Sequence, residues 1–187
     1  SARIQDDFNR TGLAHNLVLV DRRSAAAGAR QLEIREFKDL PDTKTISVAD
    51  TDGALHEGVA QQRSVVVTPE YVLDVFQLSS PDAERDFDLL LHPRADGPAE
   101  TGPLAFSPDA SLPAAPPYAV LRDAASAPFD GAVELAWRQG EAECVAAVTV
   151  AEGRADRIFR AQWPVQSDWA DGGRELFMVR ARGRRAC

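Results

Sequence analysis

The chain has 187 residues, 44% hydrophobic and 27% charged, which is enough apolar material for a core and argues against a disordered polymer. Its 29 acidic and 21 basic residues give a net charge of −8, which excludes a general nucleic-acid or anionic-membrane binder, since both need a basic footprint. No run approaches the roughly 18 apolar residues that span a bilayer, so no membrane span is expected.

No segment keeps a helical period. Apolar residues fall in short blocks, many of them alternating, with turn residues between. Residues 15–21 read as a buried strand. Over 31–37, Leu32 and Ile34 point one way and Glu33 and Arg35 the other. Over 44–49, Ile46 and Val48 share a face. Asp50-Thr51-Asp52-Gly53 begins like a calcium loop but lacks the later ligands, and reads as a turn. Segments 64–67 and 71–78 flank Thr68-Pro69-Glu70, and a proline that presets its own φ predicts a hairpin there. Asp74 sits mid-strand, either wet or bonded to an arginine. Over 86–92, Phe87, Leu89 and Leu91 oppose Asp86 and Asp88.

The stretch 93–117 differs, with Pro93, Pro98, Pro103, Pro108, Pro113, Pro116 and Pro117 among glycines and alanines. Proline cannot donate to a strand ladder, so this predicts a long surface loop with one edge strand near 104–106. Beyond it, Val133, Leu135 and Trp137 alternate with Glu134, Ala136 and Arg138, and Arg138-Gln139-Gly140-Glu141 turns the chain into 143–150. Segments 158–161 and 176–182 are further strands. About ten short strands with regular turns predict an all-β fold, an antiparallel β-sandwich forming one domain over 1–187.

Chemistry-bearing motifs are few. Cys144 and Cys187 make no disulfide framework, and Cys144, in an apolar run, reads as a small buried residue. The histidines are His15, His56 and His92; no His-x-His, His-x-x-x-His or Cys-x-x-Cys spacing forms a self-contained zinc site. His56 and His92 read as packed, hydrogen-bonded residues. No G-x-S-x-G elbow and no glycine-rich phosphate loop is present.

One segment carries more. Arg10-Thr11-Gly12-Leu13-Ala14-His15-Asn16-Leu17-Val18-Leu19-Val20-Asp21-Arg22-Arg23-Ser24 resembles the AHNT-V-VDG-S-Q segment of heparinase II/III-like polysaccharide lyases, with Leu17 where the family often has Thr and Arg22 where it often has Gly. Arg63-Ser64-Val65-Val66-Val67 through Tyr71-Val72-Leu73-Asp74-Val75-Phe76 is similar to a family hairpin. Phe87-Asp88-Leu89-Leu90-Leu91-His92 resembles the yD-llH strand that follows it, and Leu176-Phe177-Met178-Val179-Arg180-Ala181-Arg182-Gly183-Arg184 a late l-v-R-r-G-r hairpin. The four stand in the family's order.

The resemblance implies the C-terminal β-sandwich of such a lyase, truncated at both ends, with the N-terminal α/α toroid absent. These enzymes cleave uronic-acid polysaccharides by β-elimination. A base removes the C5 proton, the neighbouring carboxylate is neutralised, and an acid protonates the leaving oxygen. Metal-containing members hold zinc through a His-x-His element, an aspartate and the histidine of the HN motif, which His15 matches; the other ligands would precede Ser1. Zinc is therefore implied for the intact enzyme and not for this chain alone, since one ligand cannot supply the usual four. No catalytic residue is expected within 1–187. The implied partners are an acidic polysaccharide and the toroid, in the periplasm or outside the cell. Asp21 and Ser24 read as a strand-to-loop turn.

Two other readings stand beside this one. A non-catalytic carbohydrate-binding sandwich would use exposed aromatics, with Trp163 and Trp169 as the candidates and Trp137 in the core. A structural domain that supports a neighbour would expose an apolar patch.

Overall fold

A computed structural model describes residues 12–26, 32–163 and 174–187. These form an antiparallel β-sandwich fold with no α-helix, only short 3₁₀ turns at Gly12–Ala14 and Tyr118–Val120. Among the described residues no helix is long and apolar enough to cross a membrane. Arg10, Thr11, Trp169 and the first residue of the 31–37 segment lie outside the described residues.

The strands are β1 (Val18–Val20), β2 (Glu33–Asp39), β3 (Lys44–Asp50), β4 (Ala60–Val67), β5 (Val72–Ser79), β6 (Arg85–Leu91), β7 (Ser107–Pro108), β8 (Arg122–Pro128), β9 (Ala132–Gln139), β10 (Ala142–Thr149), β11 (Arg154–Trp163), β12 (Arg174–Gly183) and β13 (Arg185–Ala186). They divide between two compact units. The first takes in the described residues of Ser1–Ser24, Asp86–Val150 and Arg154–Ala181; the second, those of Ala25–Arg85, Ala151–Gly153 and Arg182–Cys187.

The first unit holds a six-stranded sheet in the order β1-β6-β12-β11-β8-β7 and a separate β9–β10 hairpin. Alternate residues of β12 serve two cores. Phe177 and Val179 join Ile158, Ala127, Phe129 and Leu135, with Val133, Trp137 and Val148 of the hairpin packed against them. Leu176 and Met178 join Leu19, Leu90, Phe159, Leu13 and Tyr118 on the opposite face. Because both faces of this sheet are covered, β12 is apolar in succession and shows no in–out alternation. The stretch 93–117 belongs to this unit. Its edge strand is Ser107–Pro108, beyond the expected 104–106, because Leu104 and Phe106 instead pack against the Phe177 core. β8 has no β-branched or aromatic residue to announce it; pairing with β11 and burial of Ala125 and Ala127 hold it in place.

The second unit is a five-stranded sheet in the order β13-β5-β4-β3-β2. The expected hairpin forms, with Val67 opposite Val72. The Thr68 hydroxyl accepts the Glu70 and Tyr71 amides at 3.2 and 3.1 Å, locking the turn. The expected faces do not all hold. On β3 the buried side chains are Ser47, Ala49 and Asp50, while Ile46 is exposed. Leu32, just before β2, and Ile34 and Phe37 on it are all exposed. Alternation states which residues share a face; covering that face takes another layer. Asp50-Thr51-Asp52-Gly53 is a turn as read, with the Asp50 carboxylate accepting the Ala54 and Leu55 amides at 3.0 and 2.6 Å.

Candidate functional site

Three of the four resembling segments fall on neighbouring strands of the first unit. The sheet order sets β6 between β1 and β12, so residues 12–24, 87–92 and 176–181 come together. Two side-chain networks bind them.

The first network surrounds the expected metal ligand. The expected strand over 15–21 narrows to Val18–Val20, because His15, Asn16 and Leu17 form a bend; the His15 amide reaches back to the Gly12 carbonyl at 3.2 Å. The His15 side chain is exposed. Asn16 uses its side-chain oxygen to accept the His92 amide at 2.7 Å, just past the end of β6. The Nε2 atom of His92 lies 2.8 Å from the Leu13 carbonyl oxygen. A carbonyl only accepts, so Nε2 carries the proton and Nδ1 is the unprotonated nitrogen of the neutral ring. The Trp163 ring meets the imidazole edge-on at 5.8 Å between centroids. Burial pushes the His92 pKa down to about 4. The Leu13 hydrogen bond opposes that shift and the nearby His15 charge adds to it, so His92 is neutral at ordinary pH.

The loop behind this bend is held with equal economy. Asp21 and Arg22 have left-handed φ values of 48° and 64°. The Asp21 carboxylate accepts the Asp86 amide at 3.1 Å, and the Ser24 hydroxyl accepts the Gly12 amide at 2.9 Å. Both residues thus serve the turn expected of them.

The second network is buried. Asp88 is 0% exposed. Its carboxylate accepts a fork of bonds from Arg180, Nε at 2.6 Å and Nη2 at 2.8 Å, and a short bond from the Tyr118 hydroxyl. The Arg180 guanidinium also lies over the Phe159 ring, 5.1 Å from its centroid. Burial pushes the Tyr118 hydroxyl up, and the Asp88 charge pushes it further. Burial works against the Arg180 charge, but the bonds to Asp88 and its negative charge overcome it and hold the group protonated. Asp88, Leu90 and His92 alternate onto one face of β6, so this network and the first share a sheet face.

The alternation over 86–92 sets Asp86 and Asp88 opposite Phe87, Leu89 and Leu91 and points to no Asp88–Arg180–Tyr118 triad; yet Asp88 is fully buried. The available signal was that Leu90 and His92 fall on the same parity, and a face carrying a buried leucine is not a wet face. Tyr118 follows directly on the proline-rich stretch, where nothing marked it as core.

The other expected residues lie elsewhere. His56 is buried in the second unit. Trp163 is half-buried against the Leu13 core, not a free platform, and Trp137 packs against the Leu135 core as expected. Asp74 is bonded to Arg63. Cys144 and Cys187 are both free thiols, and Cys144 is only half-buried where a buried residue was expected, because it lies on the β9–β10 hairpin with just part of its surface covered. Among the described residues no group of three or more His, Cys, Asp or Glu side chains stands together as a metal shell. His15 and His92 are too few for zinc, so these residues do not by themselves fit the ion. No protein-family model matches this chain, and no curated protein matches it.

Proposed function

We propose that this chain is the β-sandwich part of a polysaccharide lyase of the heparinase II/III-like kind, acting on a uronic-acid polymer by β-elimination. One observation carries the reading. The segment around His15, the strand leading to His92 and the strand through Arg180 are separated widely in sequence, yet they adjoin in one sheet and are joined by Asn16–His92 and Asp88–Arg180 bonds. Independent chance resemblances have no reason to converge.

In this reading the chain shapes and holds one wall of the site, while the base and acid come from the toroid. Asn16 and the neutral His92 fix the bend that presents His15 to solvent. His15 supplies one ligand to a zinc completed from outside this chain, in a periplasmic or secreted enzyme. The buried triad anchors β6 to β12, so the bend rests on a rigid support.

The test uses the natural full-length polypeptide that contains this chain, assayed on alginate-type and glycosaminoglycan-type polymers for unsaturated uronate ends. Activity is expected on at least one, lost with His15→Ala and retained with His56→Ala. The 187-residue chain alone is expected to release nothing. A full-length protein that binds such polymers without cleaving them would sink the reading and favour a binding module.

A further inference from the structure

The second unit ends in β2, which among the described residues is bonded to a neighbour, β3, on one side only. An outer strand offers its free backbone groups to another chain, and proteins usually blunt such edges. Here the edge carries Ile34 and Phe37, 65% and 69% exposed, the most exposed of the large apolar side chains among the described residues.

These two residues are three apart and would point to opposite faces of a regular strand. A register shift between Ile34 and Glu36 changes that. Ile34 lies opposite Val48 and Phe37 opposite Ile46, and those partners are two apart on β3. Ile34 and Phe37 therefore share a face.

The charges of the same strand follow a matching order. Residues 33–38 read Glu-Ile-Arg-Glu-Phe-Lys. Laid antiparallel against a second copy about the midpoint between Arg35 and Glu36, Glu33 meets Lys38, Ile34 meets Phe37 and Arg35 meets Glu36. Every charge faces its opposite, and the two apolar residues face each other. The bulge usually discourages pairing, but here it lets the apolar pair fall on one face in that register. Within one chain these charges pair along the strand, Arg35 with Glu33 at 2.7 Å and Lys38 with Glu36, and all four remain well exposed.

We propose that β2 is a self-recognition edge, through which two copies of this chain join by antiparallel β2–β2 pairing about a two-fold axis. The arrangement is isologous and closes on itself, so it yields a dimer and not a filament. Opposite charges directly across an antiparallel pair favour it, and the like charges met in other registers oppose it. Six paired residues bury less than the roughly 1,600 Å² of a standard stable interface, so the dimer should be reversible, with a Kd on the order of micromolar to millimolar. The inference is independent of the lyase reading.

The test is sedimentation equilibrium of the 187-residue chain up to about 1 mM, with circular dichroism confirming that each variant is folded. Wild type should pass from monomer to dimer with concentration. Arg35→Glu sets Glu against Glu36 twice, by symmetry, and should weaken the dimer at least tenfold. The quadruple variant E33K/R35E/E36R/K38E reverses every sign and keeps both along-strand pairs. It should dimerise with itself like wild type, yet labelled mixtures of the two should form no mixed dimer, since each charge would then face its like. The proposal is overturned if wild type stays monomeric throughout, if Arg35→Glu leaves the dimer unchanged, if the folded quadruple variant fails to dimerise, or if it mixes freely with wild type.

Discussion

The six-stranded and the five-stranded sheets contain the same small device, an arginine forked onto an aspartate across two strands with its guanidinium over a phenylalanine ring. In the six-stranded sheet it is Arg180 on Asp88 over Phe159; in the five-stranded sheet it is Arg63 on Asp74 over Phe76. The bond lengths are alike, 2.6 and 2.8 Å in the first and 2.9 and 2.6 Å in the second. The surroundings are not. The side chains of the first pair are 15% and 0% exposed, those of the second 41% and 32%. Identical geometry should therefore carry unequal energy. Water competes for the outer pair and screens it, whereas the inner carboxylate has only Arg180 and Tyr118 to replace its hydration.

Breaking the inner pair is the sharpest way to expose that difference. Arg180→Met leaves a buried carboxylate without its counter-charge and is expected to cost about 3–5 kcal/mol in urea unfolding. Asp88→Leu with Arg180→Met removes both charges and should recover most of the loss, because the cost lies in the orphaned charge and not in the missing bond. If the double variant is no better than Arg180→Met, the pair contributes by its own attraction, and the contrast with the outer pair has another origin.

The next effect is smaller and depends on pH. His92 titrates near 4 when folded, against an ordinary value near 6.5. Between those values the unfolded chain takes a proton that the folded chain refuses. The stability from His92 is thus complete above about pH 6.5 and is lost as pH falls toward 4, up to about 3 kcal/mol. Thermal unfolding of wild type and His92→Gln across this window should show wild type falling more steeply; parallel curves would mean that His92 is not held neutral by its surroundings. Asn16→Ala should follow at about 1 kcal/mol, since it takes one acceptor from the His92 amide while leaving water a way in.

These magnitudes bear on what could be read from the chain before its structure. The all-β architecture was legible, because Thr68-Pro69-Glu70 and Arg138-Gln139-Gly140-Glu141 mark their hairpins and the flanking strands alternate. Which faces are covered was not legible. Ile46 and Ser47 sit side by side, and only the layer above them decides that the serine is buried and the isoleucine is not. β8 was invisible because an alanine-rich segment has no strand preference of its own and is ordered by β11. At the candidate site, the HN pair drew attention to His15, but the bonds that hold it belong to Asn16 and His92. Those two are distant in sequence, and β1–β6 pairing, which no local pattern states, brings them together.

The outer pair gives the smallest expected effect and the cleanest control. Asp74→Ala removes both bonds from Arg63, yet the guanidinium keeps its place over Phe76, 4.6 Å from the ring centroid, and gains water in exchange. The expected loss is below about 1 kcal/mol, and it should shrink further in about 1 M salt, where the screening length falls to roughly 3 Å. The inner pair should show almost no such salt dependence, because ions cannot enter between Asp88 and Arg180. A loss of several kcal/mol for Asp74→Ala, unchanged by salt, would show that the outer pair is also shielded from water and would remove the difference between the two sheets. A small, salt-sensitive loss beside a large, salt-insensitive one would assign the difference to burial and to the Tyr118 bond that comes with it, since residue types, fork geometry and aromatic neighbour are otherwise matched.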